Sequence, residues 1–151
     1  MSVQAEESAN SSLVAVPGRV CGSTGLTLAA HVSLGTFPIF KWGGEKLRRA
    51  YVPKLIAGEY MGAYGLTEPN AGSDLDGIAT TARKVDGGYV LDGQKTWVTA
   101  APVADFFTVF ARAGEARKLT IFLVERGFAG VKLGRAIEKM GVWALPTSEL
   151  A

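Results

Sequence analysis

The hydrophobic pattern of the chain changes its period near residue 60, and this change limits the fold more than any other feature. Before it, apolar residues recur at helical spacing in two stretches, which predict helices over residues 24–34 and 44–57. After it, short apolar runs alternate with turn residues at regular intervals, a pattern typical of antiparallel strands. The sequence therefore predicts an α+β protein, in which N-terminal helices precede a small antiparallel β-barrel or sandwich domain.

Glycine and proline mark the expected ends of the two helices. Ser23 or Thr24 is suited to cap the first helix, and Gly35 follows its last apolar residue. Pro53 lies within the second apolar pattern and predicts a break or kink there, and Gly58 closes that helix.

Turn residues divide the second part of the chain into strands. The turn Asp86-Gly87-Gly88 separates two short apolar runs and predicts a β-hairpin. Further strands are predicted at residues 60–67, 94–99, 105–111 and 119–125, with a short extended segment at 131–133. The predicted organisation is a poorly ordered start (1–22), a helical segment (23–58) and a β domain (59–151). The final strand stops in mid-run, which predicts a domain that is incomplete at its C-terminal end.

Composition and charge exclude several classes of partner. The net charge is +2 and Lys and Arg form no cluster, so a nucleic-acid surface is excluded. No apolar run reaches the roughly 18 residues that a membrane span needs. Residues 1–10 carry Glu6 and Glu7 without a basic segment, unlike a secretory signal or a transit peptide. The single cysteine, Cys21, excludes an internal disulfide and favours a reducing compartment.

Two short motifs carry the candidate chemistry. The first comprises residues 64–74 (YGLTEPNAGSD), where a strand runs into a loop that contains Gly72 and Ser73. Small residues let backbone N–H groups approach an anion closely, and the Ser73 hydroxyl adds a donor, so phosphate is a natural ligand. The same residue types also form ordinary turns.

The second motif is Trp97-Val98-Thr99, at the end of a predicted strand. Because alternate residues of a strand share a face, Trp97 and Thr99 are expected to project together. An indole beside a hydroxyl suits a flat aromatic ligand, whereas a core Trp next to a surface Thr is the alternative when this motif is taken alone.

Together the two motifs resemble the acyl-CoA dehydrogenase family. Its flavoproteins carry Leu-Thr-Glu-Pro-x-Ala-Gly-Ser-Asp and then Trp-Ile-Thr in this order, and Val98 stands where the family often has Ile. Residues 30–35 (AHVSLG), 51–55 (YVPKL), 122–125 (FLVE) and 138–141 (EKMG) are also similar to family segments. The resemblance covers about residues 22–151.

The resemblance implies late N-terminal helices followed by a middle β-domain that binds FAD. The implied cofactor-binding residues are Tyr64, Leu66, Thr67, Gly72, Ser73, Trp97, Val98 and Thr99. The Thr67 hydroxyl would bond to the isoalloxazine ring, and Thr99 would bond near N5, the hydride acceptor. Gly72 and Ser73 would lie at the FAD pyrophosphate, and Ser73 would also lie near the bound acyl-CoA substrate.

The family oxidises acyl-CoA thioesters to 2,3-enoyl-CoA in fatty acid β-oxidation. The resemblance implies electron-transferring flavoprotein as acceptor and a homo-oligomer for the full-length form. It implies a bacterial cytoplasmic location, or the mitochondrial matrix if further residues precede residue 1. The catalytic base of most members is a carboxylate from a C-terminal helical domain, so no catalytic residue and no metal ligand is assigned here. The isolated chain is expected to be inactive or very weak and to bind FAD poorly.

Two other functions stay open. An acyl-CoA oxidase-type flavoenzyme would carry the same motifs and differ in the reaction of its reduced flavin with oxygen. A non-catalytic module would hold a nucleotide or a protein partner on the β domain. A flavin site requires Thr67 and Thr99 to face one concave surface, and the module does not. His31 and Glu68 are interpreted as structural, a satisfied buried histidine and a structural hydrogen-bonding carboxylate.

Overall fold

The computed structural model describes residues 14–151, which form four α-helices and then seven strands, with short 3-10 helices at Leu75–Gly77 and Ala101–Val103. The helices are α1 (residues 14–20), α2 (Gly22–Ala30), α3 (Phe37–Trp42) and α4 (Glu45–Ile56), with a π-helical turn at His31–Thr36. The strands are β1 (Gly62–Gly65), β2 (Thr81–Val85), β3 (Gly88–Asp92), β4 (Lys95–Thr99), β5 (Phe106–Ala113), β6 (Lys118–Glu125) and β7 (Thr147–Leu150). The start predicted for residues 1–22 contains the helix at 14–20, and residues 1–13 lie outside the described range.

Residues 22–42 form one nearly continuous helical run, so the first helix does not end near residue 34 as predicted. Gly35 lies inside the π-helical turn instead of terminating the helix. The reason is a close approach of two backbones. A Cβ atom on Gly35 would lie 2.7 Å from the carbonyl oxygen of Gly62, and one on Gly62 would lie 2.9 Å from the Cα of Gly35. Gly35 is required because it has no side chain, and not because it ends a helix.

The predicted break at Pro53 is also absent, because α4 continues through it to Ile56. The Ala57 N–H still donates to the Pro53 carbonyl at 2.9 Å. Pro53 removes one backbone donor close to the end of the helix, where few hydrogen bonds remain to be lost. Gly58 follows with a φ of 74°, the left-handed conformation expected of a residue that closes a helix.

β5 is the centre of a five-stranded mixed sheet. β1 and β2 pair in parallel with one edge of β5, and β6 pairs antiparallel along the other edge. β3 joins β2 through the predicted hairpin, in which Val85 pairs with Gly88. β4 and β7 form a separate antiparallel pair. The α+β class is confirmed, but the wholly antiparallel barrel is wrong: the sheet is mixed, and residues 14–151 contain no closed barrel.

Turn residues show where strands end, but they do not report the direction in which distant strands pair. Gly62 pairs with Phe106 across a long stretch of chain that includes three other strands. The segment predicted at 131–133 contributes only one bridge, between Leu133 and Leu150.

β5 supplies buried side chains to both faces of its sheet. Phe106 and Phe107 are both 0% exposed. Phe107 belongs to the cluster that also contains Val98 from the two-stranded sheet, whereas Phe106 packs with Ile39 under the helices. This alternation holds the helices and the β4–β7 pair on opposite faces of β5. None of the helices in the described range 14–151 has the length and apolar character that a membrane crossing requires.

Candidate functional site

The two motifs meet at a cavity of about 160 Å³. The cavity is lined by Ala30, Leu34, Gly62, Ala63, Tyr64, Leu66, Thr67, Thr96, Trp97 and Thr99. Five of the predicted site residues therefore share it, namely Tyr64, Leu66, Thr67, Trp97 and Thr99. Pockets that enclose a whole drug-sized ligand typically hold about 300–1,000 Å³, so this cavity has room for one part of a cofactor.

Thr67 and Thr99 line the same cavity, as a flavin site requires. Of the side-chain hydrogen bonds among residues 14–151, none engages either of these two hydroxyls. Both are therefore available to a ligand. The Trp97 side chain is 57% exposed and offers an aromatic face beside them.

A β-bulge in β4 decides which side chains face this cavity. Lys95 pairs with Leu150 and Val98 pairs with Ser148, so β4 carries one more residue than β7 over this stretch. Trp97 lies within the bulge and has a φ of 56°. This left-handed conformation is uncommon for a residue with a Cβ atom.

The bulge changes the alternation expected from the sequence. In a regular strand Lys95, Trp97 and Thr99 would share one face. Instead Lys95 and Val98 both point inward, at 2% and 1% exposure, while Trp97 and Thr99 line the cavity. The predicted cofactor contact of Val98 would have to be made by its backbone, because its side chain lies in the core.

A buried ion pair joins the two motifs. The Nζ atom of Lys95 lies 2.6 Å from Oε1 of Glu68, and the two side chains are 2% and 5% exposed. Lys95 also donates to the Leu66 carbonyl at 3.2 Å. The Thr96 N–H donates to the Thr67 carbonyl at 2.9 Å. The end of the first motif is thus bonded directly to the start of the second.

Glu68 is held as a carboxylate by a full set of donors. Its Oε2 accepts the Ala79 N–H at 2.7 Å, and its Oε1 accepts the Thr80 N–H at 3.1 Å as well as the Thr80 hydroxyl. Burial alone would raise the pKa of Glu68, but the hydrogen bonds from Lys95, Thr80 and Ala79 outweigh it and lower the pKa to about 2. Burial lowers the pKa of Lys95, and Glu68 opposes that effect. These contacts agree with the structural role interpreted for Glu68.

Sequence reasoning did not identify Lys95 as a partner of Glu68. Lysine is almost never fully buried unless it is paired, but nothing in the local sequence marks this lysine as buried.

Only one of the two ring nitrogens of His31 has a hydrogen-bond partner in the described part of the chain. Its Nε2 lies 3.1 Å from the Leu55 carbonyl, and its buried Nδ1 has no hydrogen-bond partner within residues 14–151.

Gly72 and Ser73 do not line the cavity, and both are exposed. They follow a tight turn in which Glu68 and Ala71 exchange backbone hydrogen bonds of 2.9 and 3.1 Å. A Cβ atom at Gly72 would meet nothing within 4 Å. The turn leaves the backbone open to a ligand, and the anion contact stays a prediction.

Comparison with known proteins identifies the family of the chain. Residues 63–151 match the family description "Acyl-CoA dehydrogenase, middle domain" and residues 9–59 match "Acyl-CoA dehydrogenase, N-terminal domain". The chain belongs to the acyl-CoA dehydrogenase family, whose cofactor is FAD.

Among individual relatives, benzylmalonyl-CoA dehydrogenase of Aromatoleum aromaticum is 67% identical over 105 residues, which are 70% of this chain and 28% of that protein. The structure of acyl-CoA dehydrogenase complexed with FAD from Bacillus anthracis has a TM-score of 0.82 and 39% identity, over 88% of this chain and 23% of that chain. A structure named for the electron transferring flavoprotein of Acidaminococcus fermentans has a TM-score of 0.81 and 37% identity, over 85% of this chain and 34% of that chain. The chain spans about a third of the length of the curated relatives it matches.

Proposed function

We propose that this chain supplies the flavin-binding wall of an enzyme that oxidises acyl-CoA thioesters to 2,3-enoyl-CoA. The observation that carries the proposal is that Thr67, Trp97 and Thr99 line one cavity. FAD, when bound, accepts the hydride that leaves the β-carbon of the acyl group. The residues of this chain bind and orient that cofactor.

The two hydroxyls act as hydrogen-bond donors toward the edge of the ring. Donors fixed in a cavity favour negative charge beside them, so Thr67 and Thr99 favour the electron-rich reduced ring. The indole of Trp97 covers the ring and excludes water from it. The exposed backbone of Gly72 and the hydroxyl of Ser73 contact the pyrophosphate, and Ser73 also lies near the acyl-CoA.

On this proposal, the 151 residues on their own are a poor catalyst. The α-proton of the substrate needs a base, and no Asp, Glu or His of residues 14–151 lines the cavity. Glu68 is engaged by Lys95 and by backbone donors, so it is not available for this step. General-base catalysis typically contributes about 10²–10⁴-fold, so its absence leaves little turnover.

Substrate, acceptor and location follow from the relatives as further parts of the proposal. One relative is named for benzylmalonyl-CoA, so an acyl-CoA of that type is the first substrate to test. One structure is named for an electron transferring flavoprotein, which supports such a protein as the electron acceptor. A homo-oligomeric full-length form in the bacterial cytoplasm completes the proposal.

Replacing both cavity threonines with valine is expected to weaken FAD binding about tenfold or more, because each lost hydrogen bond contributes roughly 0.5–1.5 kcal/mol. FAD is titrated into the chain, and backbone amide NMR shifts are followed. Binding is expected to be weak and to move the signals of Thr67 and Thr99 together. The matched control is Thr120→Val, whose hydroxyl bonds to the Lys118 carbonyl away from the cavity.

Two outcomes would contradict the proposal. If FAD moves the signals of neither motif, or if the double variant binds as the parent does, the cavity is not a flavin site. If the purified chain carries stoichiometric FAD that acyl-CoA reduces, the chain is not a poor catalyst by itself. The rate at which oxygen reoxidises the reduced flavin separates a dehydrogenase from an acyl-CoA oxidase.

A further inference from the structure

We propose that Lys95, held in the interior by Glu68, is a positioning residue that maintains the β4 bulge and thereby holds the Trp97 backbone in its left-handed conformation at the cavity, with residue 95 kept off the cavity face. The identity of the ligand rests on the proposed function. The positioning itself is a property of the chain without any ligand.

The two ends of the bulge are fixed by different forces. On one side, Lys95 bonds to Oε1 of Glu68 at 2.6 Å and to the Leu66 carbonyl at 3.2 Å. On the other side, Val98 is 1% exposed within the apolar cluster. Two inward residues separated by three positions do not fit the alternation of a regular strand, so one extra residue must be accommodated between them.

The backbone of Trp97 accommodates the extra residue. Its φ of 56° is a conformation that a residue with a Cβ atom keeps only when its surroundings require it. If residue 95 left the interior while Val98 stayed there, regular alternation would place residue 95 on the cavity face beside Trp97 and Thr99. The bulge would then be lost, and the Trp97 backbone would change from the left-handed to the extended conformation.

The ion pair prevents this rearrangement because its partner cannot follow. Glu68 is fixed by the Ala79 and Thr80 N–H groups and by the Thr80 hydroxyl. A carboxylate with this many donors stays in place, and an ammonium that left it would give up its charge partner. Glu68 therefore acts through Lys95, and Lys95 acts through the backbone of Trp97.

Two substitutions of Lys95 test this inference in the chain without flavin. Lys95→Thr removes the long side chain and leaves a residue that favours a regular strand, whereas Lys95→Met keeps a long side chain that prefers the interior. We expect the Cα and Cβ chemical shifts of Trp97 to move from left-handed to strand values in Lys95→Thr only. The intraresidue HN–Hα distance of Trp97 is expected to lengthen in the same variant.

A purely stabilising role would lower the stability of both variants and leave the Trp97 backbone shifts unchanged in both, which would overturn the inference. Strand values in both variants would still support the inference and would assign the bulge to the ion pair itself, because Lys95→Met keeps a long side chain without its charge. Because the spectra are recorded without FAD, a failure of the flavin titration leaves this result intact.

The role of Glu68 is tested separately by lysine acetylation and mass spectrometry. In the parent chain Lys95 is expected to be protected, while the exposed Lys84 and Lys118 react. In Glu68→Gln, Lys95 is expected to react at the rate of those two lysines. Continued protection of Lys95 in folded Glu68→Gln would show that Glu68 does not hold it inside.

Discussion

Glu68→Gln is expected to destabilise the folded chain by about 3–5 kcal/mol at neutral pH, because Lys95 loses the countercharge that keeps its ammonium in the interior. Glu68 is 6% exposed and Lys95 is 2% exposed, so water cannot replace the lost carboxylate. The glutamine amide also brings its own donors against the N–H groups of Ala79 and Thr80, which face the carboxylate in the parent chain. Urea unfolding followed by circular dichroism measures the change.

Glu45→Gln is the matched control. Glu45 pairs with Arg49 at 2.7 Å on the surface of α4, where the side chains are 65% and 81% exposed. Such exposed pairs contribute little, so the unfolding midpoint of this variant should stay close to that of the parent. Equal effects of the two substitutions would mean that the Glu68–Lys95 pair is not buried as described.

The Glu68–Lys95 pair also makes the stability of the folded chain depend on pH. The pKa of Glu68 is about 2 in the folded chain, against an ordinary value of 4.5. The unfolded chain therefore binds the proton more readily, and the stability from this carboxylate is fully present above about pH 4.5 and is lost as the pH falls toward 2. The shift corresponds to about 3 kcal/mol. Glu68→Gln should lose less stability than the parent over this window, and parallel curves would contradict the assignment.

Gly35→Ala is expected to destabilise the chain by about 2–3 kcal/mol, although alanine is the better helix former by about 1 kcal/mol. The new Cβ atom would lie 2.7 Å from the Gly62 carbonyl oxygen and 3.0 Å from the Gly62 Cα. Both are backbone atoms, so the helical run and β1 must move apart. Gly62 lines the cavity, so the movement also reaches the site.

Gly22→Ala is the control for this substitution. Gly22 begins α2, and a Cβ atom there would meet nothing within 4 Å. Its replacement is expected to leave stability unchanged or slightly higher. The midpoints of thermal unfolding of the two variants are compared. If Gly35→Ala unfolds at the same temperature as Gly22→Ala, the helical run and β1 are not in close contact at this point.

The sequence by itself determined the local features of this protein. The period of its apolar residues set the order of helices and strands, and Asp86-Gly87 set the hairpin, because these signals act between neighbours in the chain. The two motifs were enough to indicate the family. They also identified Thr67, Trp97 and Thr99 as candidates, and the structure brings these three residues to one cavity.

Only the tertiary structure decided the features that depend on partners far apart in the chain. The parallel pairing of β1 with β5, the contact of Gly35 with Gly62 and the ion pair of Glu68 with Lys95 each join distant segments. Whether a lysine is buried, or a glycine ends a helix or lies against another backbone, depends on what packs against it. Burial and backbone proximity are properties of the folded chain, so no local pattern reports them.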